Sequence, residues 1–119
     1  MVKSVLIVDP DLGSAEILRE TLRRHGLAVR LATSGFAALD RAECEHFDLI
    51  LSEMEMPAFS GLDLLQTLRT RGHITPVVLM SRERASEHDT RAMPWGQAVV
   101  AQRNRLGDLV GTILKLPAA

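Results

Sequence analysis

Several side chains able to do chemistry stand directly after short apolar runs. Asp9 follows Val5-Leu6-Ile7-Val8, Glu53 follows Leu49-Ile50-Leu51-Ser52, and Ser81 ends the run from Pro76 to Met80. Gln102 or Arg103 follows Ala98-Val99-Val100-Ala101. Asp11 adds a second carboxylate near Asp9, across Pro10, and Arg82 adds a guanidinium directly after Ser81. A carboxylate is a candidate nucleophile or cation ligand, and a neighbouring hydroxyl or cation can orient or neutralise an anion. The stretch Asp48 to Gly61 is the centre of this set. Its apolar run is too short for a helix and breaks at Met56-Pro57, and Ser60-Gly61 opens an amphipathic segment. A carboxylate at the carboxyl end of a central strand, before a turn and a helix, is where open α/β sheets place their chemistry.

The elements that must position these residues follow from the apolar pattern. Val5 to Val8 reads as a buried parallel strand. A helix follows with Ala15, Leu18 and Leu22 on one face and Ile17 widening the stripe; Arg19, Arg23 and Arg24 face water, and Gly26 stops it. Leu27 to Ala32 is a second strand, nearer an edge because of Arg30. Thr33 or Ser34 caps a helix whose apolar positions are Phe36, Ala37, Leu39 and Ala42. The third strand is expected to leave the core at Ser52 or Glu53. Its helix carries Leu62, Leu64, Leu65 and Leu68 and ends near Arg71-Gly72. Pro76 to Met80 forms a fourth strand. Arg82 to Arg91 is polar, Met93-Pro94-Trp95-Gly96 breaks any helix, Ala98 to Ala101 gives a fifth strand, and Leu106, Leu109, Val110, Ile113 and Leu114 line a last helix. Strands alternating with helical segments imply a three-layer α/β domain with a parallel sheet and helices on both faces.

Composition sets the outer limits. With 119 residues and 46% hydrophobic content the chain is one domain. We expect it to span 1–116, with 117–119 a tail or the start of a linker. Lys and Arg total 14 against 15 Asp and Glu, a net charge of -1, which argues against nucleic-acid binding by the domain itself. The single Cys44 excludes an internal disulfide. No run is long enough for a membrane span, and no signal peptide is apparent, so a soluble cytoplasmic domain is expected. His25, His46, His73 and His88 lack ligand spacing. A hydrolase or metal enzyme is disfavoured, because no Ser-His-Asp arrangement or Gly-rich phosphate loop is present.

Taken together and in order, these pieces resemble the receiver domain of two-component response regulators, the CheY-like family, over essentially the whole chain. Val8-Asp9 resembles the family's first acid, Met56-Pro57-Ala58-Phe59-Ser60-Gly61 its Met-Pro-x-x-Asp-Gly turn, and Thr75 to Ser81 its fourth strand and hydroxyl. The resemblance implies a doubly wound, flavodoxin-like (βα)5 fold with a five-stranded parallel sheet in the order 2-1-3-4-5. The departures fall on the chemistry. Glu53 takes the place of the phosphoacceptor Asp, and Pro10 that of the second acid, a magnesium ligand in the family. Arg82 replaces a small residue. The family's Lys is matched by Gln102 when aligned back from the last helix, or by Arg103 when aligned forward from Ser81. Gln102 is preferred, and it makes Val99 the aromatic-switch position.

These departures imply an atypical pseudo-receiver, not an enzyme. Magnesium supplies most of the charge neutralisation in phosphoryl transfer and requires hard oxygen ligands. Only Asp9, Asp11 and Glu53 remain as weak candidates, so no bound cofactor is expected. Glu53 supplies a fixed charge that partly imitates a phosphate. Arg82 either folds onto Glu53 or Asp9 as a bidentate pair or belongs to a solvated charged turn. The implied role is protein interaction, with a homodimer expected through the face of the fourth helical segment, fifth strand and last helix. Trp95 either anchors that interface or covers the end of the core. A C-terminal output domain in a larger regulator is the other expected partner. The competing reading is a phosphorylatable receiver with an unusual magnesium-dependent site.

Overall fold

The computed structural model describes residues 2–81, 98–102 and 106–115. Five strands, β1 (Ser4–Val8), β2 (Ala28–Ala32), β3 (Leu49–Glu53), β4 (Val77–Ser81) and β5 (Ala98–Gln102), form one parallel sheet in the order β2-β1-β3-β4-β5. The helices among the described residues are α1 (Leu12–Arg23), α2 (Gly35–Cys44), α3 (Gly61–Thr70) and α4 (Leu106–Lys115). The fourth helical segment expected before β5, with Trp95, lies outside the described residues. Among the described residues, no helix is long and apolar enough to cross a membrane.

Continuous apolar runs make the central strands because both of their faces are covered. Every residue of β3 and β4 is buried. Alternate residues feed two cores. On one face, Val5, Ile7, Leu49 and Leu51 pack with Ala15, Leu18 and Leu22 of α1 and with Val110 and Ile113 of α4. On the other, Leu6, Val8 and Ile50 pack with Ala38 and Leu39 of α2 and with Leu64, Leu65 and Leu68 of α3. Strand β2 is an edge, as Arg30 suggested, and is the least buried strand whose side chains are described.

Three sequence expectations are corrected. Ile17 does not join the core stripe; it is 64% exposed, because α1 packs through Ala15, Leu18 and Leu22 alone. Phe36 is 59% exposed, and Ala38 takes its expected place beside Leu39, since the helix starts one residue before it and turns it outward. The third strand does not leave the core at Ser52 or Glu53. Burial continues through Met54, whose N–H bonds to the Met80 carbonyl at 2.9 Å and so prolongs the ladder.

Candidate functional site

The parallel register brings the ends of the strands together. Val8 is paired with Ser52, which places Asp9 and Glu53 side by side one step further on. Glu53 is paired with Met80, and Ser81 with Gln102, the last residue of β5. Asp9, Glu53 and Ser81 are all buried, Glu53 to 1% exposure. Two carboxylates and a hydroxyl buried at the carboxyl edge of a sheet are costly to desolvate, and that edge is where open α/β sheets place their ligand sites.

Each acid is held by local backbone geometry. Asp9 closes β1 with its N–H on the Ala32 carbonyl at 3.0 Å, and its Oδ1 accepts the Asp11 N–H at 2.9 Å. Pro10 is exposed between them. Asp11 is the N-cap of α1. Its Oδ1 accepts the N–H groups of Gly13 and Ser14 at 3.1 and 3.4 Å, and its Oδ2 accepts the Ser14 hydroxyl at 3.0 Å. Both oxygens of Asp11 are therefore committed to the first turn of α1, satisfying N–H groups that the helix leaves open.

The turn after β3 fixes Glu53 from the other side. Gly61 donates its N–H to the Met54 carbonyl at 2.8 Å. A Cβ at Gly61 would lie 2.3 Å from the Glu53 carbonyl oxygen and 3.0 Å from the Met54 Cα, so only glycine allows this return. Ser60 and Asp63 form a reciprocal capping box, with bonds of 3.0 and 2.9 Å, that starts α3 there. The Ser52 hydroxyl donates to the Glu53 carbonyl at 2.9 Å.

Of the residues singled out in the sequence, the sheet thus gathers Asp9, Glu53, Ser81 and the backbone of Gln102 at one edge, and holds Asp11 beside them but turned to α1. Val99 lies within β5, paired with Val78. Arg82, Trp95 and Arg103 lie outside the described residues. No group of three or more His, Cys, Asp or Glu among the described residues is arranged to hold a metal.

Asp48, at the opposite end of β3, is a structural acid that the sequence reading passed over. It is nearly buried, and its Oδ2 accepts the N–H groups of Lys3 and Ser4 at 2.9 and 3.2 Å while Oδ1 meets His46 Nε2 at 3.2 Å. The Lys3 N–H is the chief cause that holds its carboxyl below the usual range, with the His46 and Ser4 bonds adding to it against the cost of burial. A lone Asp immediately before a buried strand was the available signal. The exposed pairing of Phe36 with Phe59, rings 4.7 Å apart, was also missed, because Phe36 fitted the apolar period of α2.

Comparison with known proteins agrees with this geometry. The chain is 36% identical over 77 residues to the response regulator protein PmrA of Pseudomonas aeruginosa, covering 65% of this chain and 35% of that protein. It is 32% identical over 87 residues to the cell cycle transcriptional regulator CtrA of Caulobacter vibrioides, covering 73% and 37%. The chain therefore spans about a third of the length of these curated relatives. The chemotaxis protein CheY4 of Vibrio cholerae superposes with a TM-score of 0.86 at 23% identity, covering 98% of this chain and 100% of that one. At that identity the superposition speaks for the fold alone. The model of the response regulator receiver domain matches residues 5–101. With that match lying on a sheet of order 2-1-3-4-5 whose edge gathers Asp9, Glu53 and Ser81, this chain belongs to the response regulator receiver domain family.

Proposed function

We propose that this receiver domain has left the phosphorylation cycle and acts as a fixed-state interaction module of a two-component signalling protein. The observation that carries this reading is the state of the acids around Glu53. The last position of β3 holds a carboxylate one methylene longer than the family's aspartate, buried to 1% exposure. Pro10 offers no side-chain oxygen, and Asp11 has both of its oxygens on α1. Such a donor set does not fit a magnesium site of the family's kind, since magnesium demands near-octahedral oxygens supplied in part by carboxylates. Without that cation, charge on a transferring phosphoryl group has little to neutralise it.

Incubation with acetyl phosphate or beryllofluoride plus magnesium, followed by intact mass and Trp95 fluorescence, tests the reading. The expected result is no adduct and no fluorescence change. An adduct of one phosphoryl group would establish the competing reading, a phosphorylatable receiver with an unusual site. Glu53→Asp alone is expected to remain unlabelled, because Pro10 and the missing Lys are separate defects.

Within this reading Arg82 serves as the cation that pairs with Glu53 or Asp9. The idea fails if Arg82→Ala changes neither thermal stability nor partner binding. The face expected from the fourth helical segment, β5 and α4, with Trp95 and Val99, is the proposed contact for a second copy or a signalling protein. An output domain in a longer regulator, as the transcriptional role named for CtrA suggests, is the other proposed partner, and a cytoplasmic setting goes with both.

A further inference from the structure

Two surfaces at opposite ends of the strands play no part in the site. At the carboxyl end, Phe36 projects from the start of α2, and its ring meets that of Phe59 at 4.7 Å and 34°. Phe59 lies so close over Gly35 that a Cβ there would meet its ring at 2.2 Å. The neighbouring Ala58 is held at φ 65°, a left-handed conformation that a non-glycine residue keeps only when its surroundings impose it. The segments 31–40 and 47–68, which carry both rings, contain no Lys, Arg or His. Asp40, one helical turn beyond Phe36, and Glu55, at the head of the Phe59 turn, are both exposed. The result is an aromatic knob in an acidic surround, and exposed aromatic patches of this kind serve as interface anchors.

At the amino end, a cleft of about 590 Å³ opens beside the edge strand β2. Leu27 and Phe47 lie buried at its floor, and Arg19, Arg23 and Arg30 line it with cationic groups beside Glu45 and His46. Glu16 holds Arg19, Asp48 holds His46, and Glu45 is shared between Arg30 and Arg41. Arg23 has no ion pair among the described residues, so the cleft keeps a positive excess.

We propose that the Phe36–Phe59 knob of one copy seats in the arginine-lined cleft of a second copy, head to tail. The rings would lie against the guanidinium groups that line the cleft, and Asp40 and Glu55 would face the same arginines. The two surfaces differ and lie at opposite ends of the strands, so the contact is heterologous and extends into open chains instead of closing a symmetric pair. It is a different surface from the one formed by β5 and α4.

Sedimentation of the whole chain up to ~1 mM, a concentration that detects millimolar affinity, tests the proposal. Low salt is compared with ~1 M salt, where the screening length falls to about 3 Å. The expected result is a weight-average mass that rises with concentration at low salt and returns to the monomer at high salt. Phe36→Asp and Arg23→Glu change exposed residues, so both variants should fold. Each should weaken association at least tenfold. Mixing the two should restore a one-to-one dimer that grows no further, since each supplies the surface the other lacks. A monomer at every concentration overturns the proposal. So does association that neither substitution weakens, which would point to another face, or a mixture that fails to recover.

Discussion

At the scale of single residues, Asp48 is the clearest source of pH dependence. Its folded carboxyl is held below the ordinary Asp value of about 3.9, chiefly by the Lys3 N–H. A depressed acid stabilises the fold fully above its unfolded value, and that contribution disappears as pH falls from about 3.9 through the folded value. Urea unfolding as a function of pH should show this acid limb, and Asp48→Ala should flatten it. At neutral pH the same substitution leaves the Lys3 and Ser4 N–H groups without their acceptor and should cost about 1–3 kcal/mol. Ala58 gives a change of opposite sign. A left-handed conformation costs an L residue about 1–2 kcal/mol, and glycine loses about 0.5–1 kcal/mol through its freer unfolded state. Ala58→Gly should therefore stabilise the chain by about 0.5–1 kcal/mol in chemical denaturation. The sequence disclosed the chemistry-bearing acids, because Asp9 and Glu53 end unbroken apolar runs. It did not disclose the roles of Asp48 and Asp11, which depend on which backbone N–H groups the fold brings within reach.

At the scale of elements, the junction from β3 to α3 positions the site. Ser60→Ala removes half of the capping box and should cost about 0.5–2 kcal/mol. Gly61→Ala should cost more than Ser60→Ala. Its methyl would meet the Glu53 and Met54 backbone, which cannot swing aside as a flexible side chain can. Thermal melts of the two variants give the order directly, and equal losses would show that the turn can open without strain. Element existence was legible from apolar period and punctuation, and a cap at Thr33 or Ser34, of which the fold uses Ser34, the start at Ser60 and the end near Arg71 followed from local chemistry. Facing was less legible. Ile17 and Phe36 have the hydrophobicity and almost the spacing of core residues. Which 100° of a helix meets the sheet depends on where the helix begins and how it lies across the strands, and neither is written in the segment itself.

At the scale of the whole molecule, the sheet separates two cores that do not share side chains. Strand alternation sends Ile7 and Leu51 to one face and Leu6 and Ile50 to the other. The three-layer α/β architecture was readable because alternating strands and helices joined by right-handed crossovers put helices on both faces of a parallel sheet, while the doubly wound strand order came with the family resemblance. The division has an energetic consequence. Ile113 of α4 lies in the first core and Ile50 of β3 in the second, both at no more than 1% exposure. Ile→Val at either position should cost about 0.5–1.5 kcal/mol through lost contacts and a small cavity. Because the sheet stands between them, the double variant should equal the two single losses within about 0.5 kcal/mol. Unfolding should nevertheless remain one transition, since both cores are built on the same strands and neither persists once the sheet opens. Denaturation followed in parallel by far-ultraviolet circular dichroism and by Trp95 fluorescence checks both points. A coupling above about 1 kcal/mol would mean that strain crosses the sheet, and separated transitions would mean that one helical layer can leave while the other holds.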